Sequence, residues 1–290
     1  MAVLHHGDVI EKTGGRRPHQ IDLEALGLAW LAEAQQWGGA HVVPVLETSP
    51  GRLVEAKIEQ TRVSAEAARA FGRALALTHA AGATHLGAAP DGWEGDGWMG
   101  NAYLIYPRPD ETNRSWGRFF GRDRILPNLG PARDNGSIDA AGARVIERLC
   151  ARLDQGDFDH DEPVLVEAPA ARIHGDLWCG NVLWSPRESL GWASPAAGRG
   201  KPAMELPDVV GVLIDPAAQG GHAETDLASL EIFGQPYLEE IYAGYNEVSP
   251  LAEGWRERRR LHQVHMLIVH ANLFGGSYGA ETVAAARHYA

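Results

Sequence analysis

Polar and apolar residues alternate along Asp8-Val9-Ile10-Glu11-Lys12, a period of two that predicts a short strand entering a turn at Gly14-Gly15. From Asp22 to Trp37 the period lengthens. Leu23, Leu26, Trp30, Leu31 and Ala34 share one face, predicting an amphipathic helix with Asp22 as N-cap and Gly38-Gly39 as its stop. Two apolar runs, His41–Leu46 and Arg52–Ile58, flank the Ser49-Pro50-Gly51 turn and predict two more strands. Residues 1–60 thus form a small unit of mixed character.

Beyond it the pattern is mainly helical. Ser64 caps a helix carrying Ala68, Phe71, Leu75 and Thr78 in register, with Gly82 ending it. Ala88–Trp98, rich in Gly, Pro and Asp, is expected to be loop. Arg118–Pro127 and Asp139–Leu153 have helical spacing, the second through Val145, Ile146, Leu149 and Leu153. Short strands are expected at Arg172-Ile173, Val182–Trp184 and Val209–Ile214, and helices from Asp226 onward. Pro186–Pro207 has no periodicity and is expected to be a flexible surface insertion.

The chain has 290 residues, enough for a large core in one bilobal unit or two coupled domains. Its formal net charge of -12 disfavours nucleic-acid binding, which would need a basic surface to release counterions. Two cysteines, Cys150 and Cys179, point to a reducing compartment rather than a disulfide framework. There is no signal-peptide pattern and no apolar run of the ~18 residues a membrane span needs, so a cytoplasmic protein is expected.

The chemistry concentrates in His174-Gly-Asp-Leu-Trp-Cys-Gly-Asn181 and in Ile214-Asp215-Pro216. An Asp, an Asn five residues on and a second Asp after an apolar strand match the parts list for phosphoryl transfer. Asp176 would accept the proton of an attacking hydroxyl. Asn181 and Asp215 offer the hard oxygen ligands that Mg²⁺ prefers, holding it on ATP phosphates. Lys12 and Glu24 suit the ion pair that grips the α- and β-phosphates, and ATP is expected near Glu55 and Ala56. His174 is expected to brace its loop. The basic run Arg256, Arg258, Arg259 and Arg260 is expected to be a solvated helix face. His262, His265 and His270 sit among Leu and Val and are expected to be core or cap histidines, with no zinc site.

With Gly221-His-Ala-Glu-Thr-Asp-Leu-Ala228, Phe233-Gly234, Glu24-Ala-x-Gly-Leu-x-Trp-Leu31 and Leu261-His-Gln263, these motifs resemble the fructosamine-3-kinase (ketosamine kinase) family. The resemblance runs from Asp8 to Tyr278 and extends to the aminoglycoside and choline phosphotransferases. It implies an α+β, protein-kinase-like fold of two lobes, a small N-terminal one over residues 1–60 and a mainly helical one over 61–290. It implies ATP-dependent phosphorylation of a ketosamine sugar hydroxyl, with Trp178 facing the sugar. Asp226 would brace the Asp176 loop, and His222 and Glu224 would either brace it or touch substrate.

One departure stands out. Members of the family have two strands with a glycine-containing nucleotide loop before the strand lysine, and only eleven residues precede Lys12. That hairpin is expected to be missing and the N-lobe truncated. Asn181 and Asp215 are also 34 positions apart because of the insertion. Two other readings remain from sequence: a kinase for an aminoglycoside or other small hydroxyl, and a pseudokinase lacking the nucleotide loop.

Overall fold

The computed structural model describes residues 1–15, 17, 19–108, 115–191 and 207–290. Its first sheet is antiparallel with strand order β1-β2-β5-β4: β1 (Ala2–His6), β2 (Val9–Thr13), β5 (Arg52–Ala56) and β4 (Val45–Ser49). The strand β1 was not foreseen. It pairs with β2 across a Gly7-Asp8 turn, so among the described residues one strand precedes the Lys12 strand. All five β1 residues are exposed, which leaves no hydrophobic alternation to read.

Helix α1 (Gln20–Ala32) packs under this sheet and continues as a tighter 3₁₀ turn, Glu33–Trp37. Asp22 is not its cap. His19 occupies that position with a left-handed backbone, and Asp22 instead accepts the Gly51 N–H at 2.8 Å, tying the helix to the β4–β5 turn. The run His41–Leu46 is not one strand. It divides at Pro44 into β3 (His41–Val42) and β4, which belong to different sheets. Proline cannot donate to a ladder, so the break falls there.

A second sheet has the order β3-β10-β9, with β9 (Val182–Pro186) and β10 (Val209–Leu213) antiparallel and β3 parallel to β10. The strands β8 (Ala171–Ile173) and β11 (Gln219–Gly221) form a separate pair. Within Ala88–Trp98, mostly loop as expected, a hairpin begins with β6 (Gly97–Met99) and returns through β7 (Ala102–Leu104). Of the Pro186–Pro207 insertion, residues 192–206 lie outside the described residues.

The helices are α2 (Ala65–Ala80), α3 (Trp116–Phe119), α4 (Leu126–Asp134), α5 (Ala140–Asp154), α6 (Ala223–Ile232), α7 (Leu238–Val248), α8 (Trp255–Phe274) and α9 (Tyr278–Arg287). Ser64 Oγ caps α2 by accepting the Ala67 N–H at 3.1 Å, and Asp139 caps α5 through the Gly142 N–H at 2.7 Å. Between α3 and α4 the chain stays helical through a π-type stretch, Phe120–Ile125, so the expected helix Arg118–Pro127 is longer at both ends.

One core joins α1, α2, α7 and the β3-β10-β9 sheet through Leu31, Phe71, Leu75, Val212 and Tyr245. Another joins α3–α5 to α8 and α9 through Phe120, Ile146, Leu149, Leu261 and Ile268. Burial of these side chains is the main favourable contribution to folding.

Candidate active site

Strand periodicity turns Lys12 inward from β2, and 4% of the residue is exposed. Its Nζ meets Glu24 Oε1 of α1 at 2.6 Å and Glu55 Oε1 of β5 at 3.0 Å, and it donates to Asp215 Oδ1. Burial works against the ammonium charge, but Glu24, Asp215 and Glu55 together outweigh it and hold the pKa above its ordinary value. The carboxylates are strained in turn. Burial pushes Glu24 up to about 7 although Lys12 opposes it, and burial also raises Glu55. Ala56 closes β5 beside this group, its N–H donating to the Pro44 carbonyl at 3.0 Å.

Asp215 reaches the cluster from just beyond β10. Its φ of 51° is left-handed, uncommon for a non-glycine residue. Helix α1 lies against the segment that follows: a Cβ on Gly27 would stand 3.2 Å from the Ala218 Cβ and 3.3 Å from Pro216. The glycine therefore lets the helix carrying Glu24 close on the loop carrying Asp215.

The β9–β10 ladder brings the two halves of the motif together. Val182 pairs with Leu213, and the Ile214 N–H donates to the Asn181 carbonyl at 3.1 Å. Asn181 and Asp215 become neighbours despite their separation in sequence. Asn181 Nδ2 donates to the Asp176 carbonyl at 2.8 Å, Asp176 Oδ2 at 3.2 Å and the Asp215 carbonyl at 3.4 Å. Burial, then the Asp215 carboxylate, pushes Asp176 up to about 7 against the hydrogen bond from Asn181.

His174 Nε2 donates to the Ile214 carbonyl at 2.9 Å, and Nδ1 accepts the Asp176 N–H at 3.3 Å. A carbonyl only accepts, so the tautomer is fixed with hydrogen on Nε2. Burial lowers the His174 pKa, keeping it neutral. The Asp226 carboxylate of α6 accepts the N–H groups of His174 at 2.7 Å and Gly175 at 3.0 Å, and its Oδ2 lies 3.2 Å from His79 Nε2. Gly175 is required here: its φ is 81°, and a Cβ would lie 2.1 Å from the Ala217 carbonyl oxygen.

Trp178 covers Gly180 and meets Phe233 edge-on, ring centroids 5.5 Å apart. His270 lies 5.0 Å from Phe233 and 5.0 Å from Tyr278, extending an aromatic wall beside the loop. Sequence reasoning gave Phe233 and Tyr278 no chemical role and read His270 as a core or cap histidine. The Cys179 thiol donates to the Phe233 carbonyl at 3.3 Å. Arg124 was also missed. Deeply buried, it donates to Gln219 Oε1 at 2.6 Å and to the Ile105 carbonyl at 2.8 Å, and lines a small cavity with Gly175.

His222 and Glu224 are brought elsewhere, into a buried group with His160, His262 and Arg258. Arg258 corrects the expected solvated face, since it turns inward to grip Glu224. Arg256, Arg259 and Arg260 line a cavity of about 450 Å³ with Glu231 and Gln263.

A four-stranded antiparallel sheet with a buried Lys–Glu pair, set against a helical body whose loops carry Asp176, Asn181 and Asp215, is a kinase-like fold. The gentamicin-bound aminoglycoside phosphotransferase APH(2")-IIa shares it with a TM-score of 0.54 over 99% of this chain and 90% of that one, at 11% identity. The chain belongs to the fructosamine kinase family, whose model matches residues 20–289. A crystal structure from Thermobifida fusca assigned as a fructosamine-3-kinase is similar over 99% of this chain and 92% of that one, with 35% identity and a TM-score of 0.78. A relative named as a ketoamine kinase in Synechocystis is 31% identical over 72% of this chain. The chloroplastic protein-ribulosamine 3-kinase of Arabidopsis thaliana is 27% identical over 90% of this chain and 69% of its own length. The match spans 57% of the Synechocystis relative and 64% of a ketoamine kinase from Enterococcus faecium. Among the described residues, no helix is long and apolar enough to cross a membrane.

Proposed function

We propose that this protein is an ATP-dependent kinase that phosphorylates a sugar hydroxyl of a ketosamine, such as a fructosamine or ribulosamine. The observation that carries the reading is the convergence of Asp176, Asn181 and Asp215 on one site beside the buried Lys12–Glu24 pair. The names of the family and its ketoamine and ribulosamine kinase relatives support the acceptor class.

In this reading residues 1–60 form the smaller lobe and 61–290 the larger, with ATP between them near Glu55 and Ala56. Asp176 accepts a hydrogen bond from the acceptor hydroxyl and takes its proton as the oxygen bonds to the γ-phosphorus. The bond from that phosphorus to the ADP oxygen breaks. Asn181 and Asp215 would hold Mg²⁺. The donors fit, because the Asn181 amide nitrogen is engaged by Asp176 and Asp215 while Oδ1 takes no hydrogen bond among the described residues. The ion would neutralise charge on the phosphate oxygens. Lys12 grips the phosphates, Glu24 orients it, and Trp178 faces the sugar. His174 and Asp226 brace the loop, and the buried His222 and Glu224 support α6 rather than touch substrate. The two free cysteines fit a cytoplasmic setting.

The test is Mg²⁺-dependent ADP release with and without a fructosyl-lysine derivative. Acceptor-stimulated release that collapses in Asp176→Ala is expected. Preference for an aminoglycoside or plain alcohol over every ketosamine in a panel would overturn the acceptor assignment.

A further inference from the structure

We propose that His160, His262 and Glu224 form a structural zinc site in the helical body, separate from the phosphoryl-transfer residues. His160 lies on the loop after α5, Glu224 on the first turn of α6, and His262 midway along α8. His262 Nε2 is 3.1 Å from His160 Nε2 and 3.4 Å from Glu224 Oε2, and His160 Nε2 is 3.5 Å from the same oxygen. A tetrahedral ion with bonds of about 2.0–2.1 Å separates its donors by roughly 3.4 Å, so the triangle already has the size zinc demands.

The surrounding hydrogen bonds orient these atoms as ligands. His160 Nδ1 lies 2.7 Å from the Phe158 carbonyl, which accepts only, so that nitrogen carries the hydrogen and Nε2 keeps its lone pair. His262 Nδ1 is held by Thr225 Oγ1 at 2.9 Å, again leaving Nε2 toward the group. Arg258 grips Glu224 from behind, Nη2 to Oε1 at 2.6 Å and Nε to Oε2 at 3.0 Å. Such outer contacts fix ligand orientation at metal sites. The indole of Trp116 packs against both rings, 4.7 Å from that of His160 and 4.6 Å from that of His262.

Two imidazole nitrogens facing each other at this distance need a proton or a cation between them. His222 offers the nearest further nitrogen, within 4.8 Å of the other donors. Its own ring atoms are engaged by the Glu224 N–H at 3.1 Å and the Asp161 carbonyl at 3.2 Å. Zinc needs no redox partner and accepts an N/O set of this kind, and His222, on giving up the Asp161 carbonyl, would supply the fourth ligand that a structural site requires.

Elemental analysis of purified, desalted protein should find one zinc per chain. Cobalt(II) loaded into the metal-stripped protein should give the visible d–d bands of a four-coordinate N/O site. His160→Gln and His262→Gln should each weaken zinc affinity at least about 100-fold and abolish those bands, with circular dichroism confirming the fold. Zinc should raise the melting temperature of the unsubstituted protein and not of the variants. Absence of four-coordinate cobalt bands in the unsubstituted protein overturns the proposal whether or not the variants fold. So does zinc that survives His160→Gln but is lost in Asp215→Asn, since that ion sits with Glu24, Glu55 and Asp215 instead.

Discussion

The Asp226 carboxylate receives the His174 backbone N–H at 2.7 Å, fastening the first turn of α6 to the loop that presents Asp176. The Gly175 N–H and His79 Nε2 complete its set of donors. In Asp226→Asn one acceptor oxygen becomes an NH₂ facing a backbone N–H. A buried donor left in that position costs about 1–3 kcal/mol, so denaturant unfolding should report a loss of that size. Steady-state kinetics should show kcat falling while KM for ATP changes little, because the loop and not the Lys12 cluster is disturbed.

Lys12→Met leaves Glu24, Glu55 and Asp215 without their shared cation. Breaking a buried ion group by removing one partner destabilises by about 3–5 kcal/mol. The loss should shrink as pH falls from 7 toward 5, because Glu24 and Glu55 take up protons and no longer repel. ATP affinity, followed by calorimetry, should drop in the same variant.

As the proposed base, Asp176 must be ionised to take a proton. With its pKa pushed up to about 7 by burial and then by Asp215, kcat/KM should fall about tenfold per pH unit below 7 and level off above it. Asp176→Ala should reduce kcat by ~10²–10⁴ and remove that acid limb.

Burial, reinforced by Arg124, depresses His265 from its ordinary 6.5 to about 3. The unfolded chain therefore binds a proton that the folded one refuses between those values, and stability rises with pH across that window. Between pH 6.5 and about pH 5 this one group removes about 2 kcal/mol, lost progressively as the medium becomes more acid. Urea unfolding at the two pH values should show a smaller difference for His265→Gln.

Much of the Lys12–Asp215 cluster could be anticipated because its residues sit at set positions in periodic elements. Lys12 falls on the inward face of an alternating strand, and Glu24 falls in the first turns of a helix with clear spacing. Asp176, Asn181 and Asp215 lie at strand ends whose apolar runs are visible in sequence. What escaped notice lacked a local signature. The strand β1 buries nothing, and the run through Pro44 looks continuous until two sheets claim its halves. His160 and His262 are 102 positions apart, and Arg258 reads as one cation in a basic run. Only tertiary packing turns it toward Glu224.

The division at Pro44 has a mechanical meaning. The Val43 N–H is bound to the Leu213 carbonyl in the sheet that launches Asp215, while the Pro44 carbonyl takes the Ala56 N–H from the sheet that bears Lys12. The change of allegiance is thus made across one peptide unit, and its second residue has a ring-locked φ. With that φ fixed, few free dihedrals separate the two sheets here. The sheet that bears Lys12 and the sheet that launches Asp215 are thus tethered through a very short backbone link, which limits how far apart the two groups can be carried.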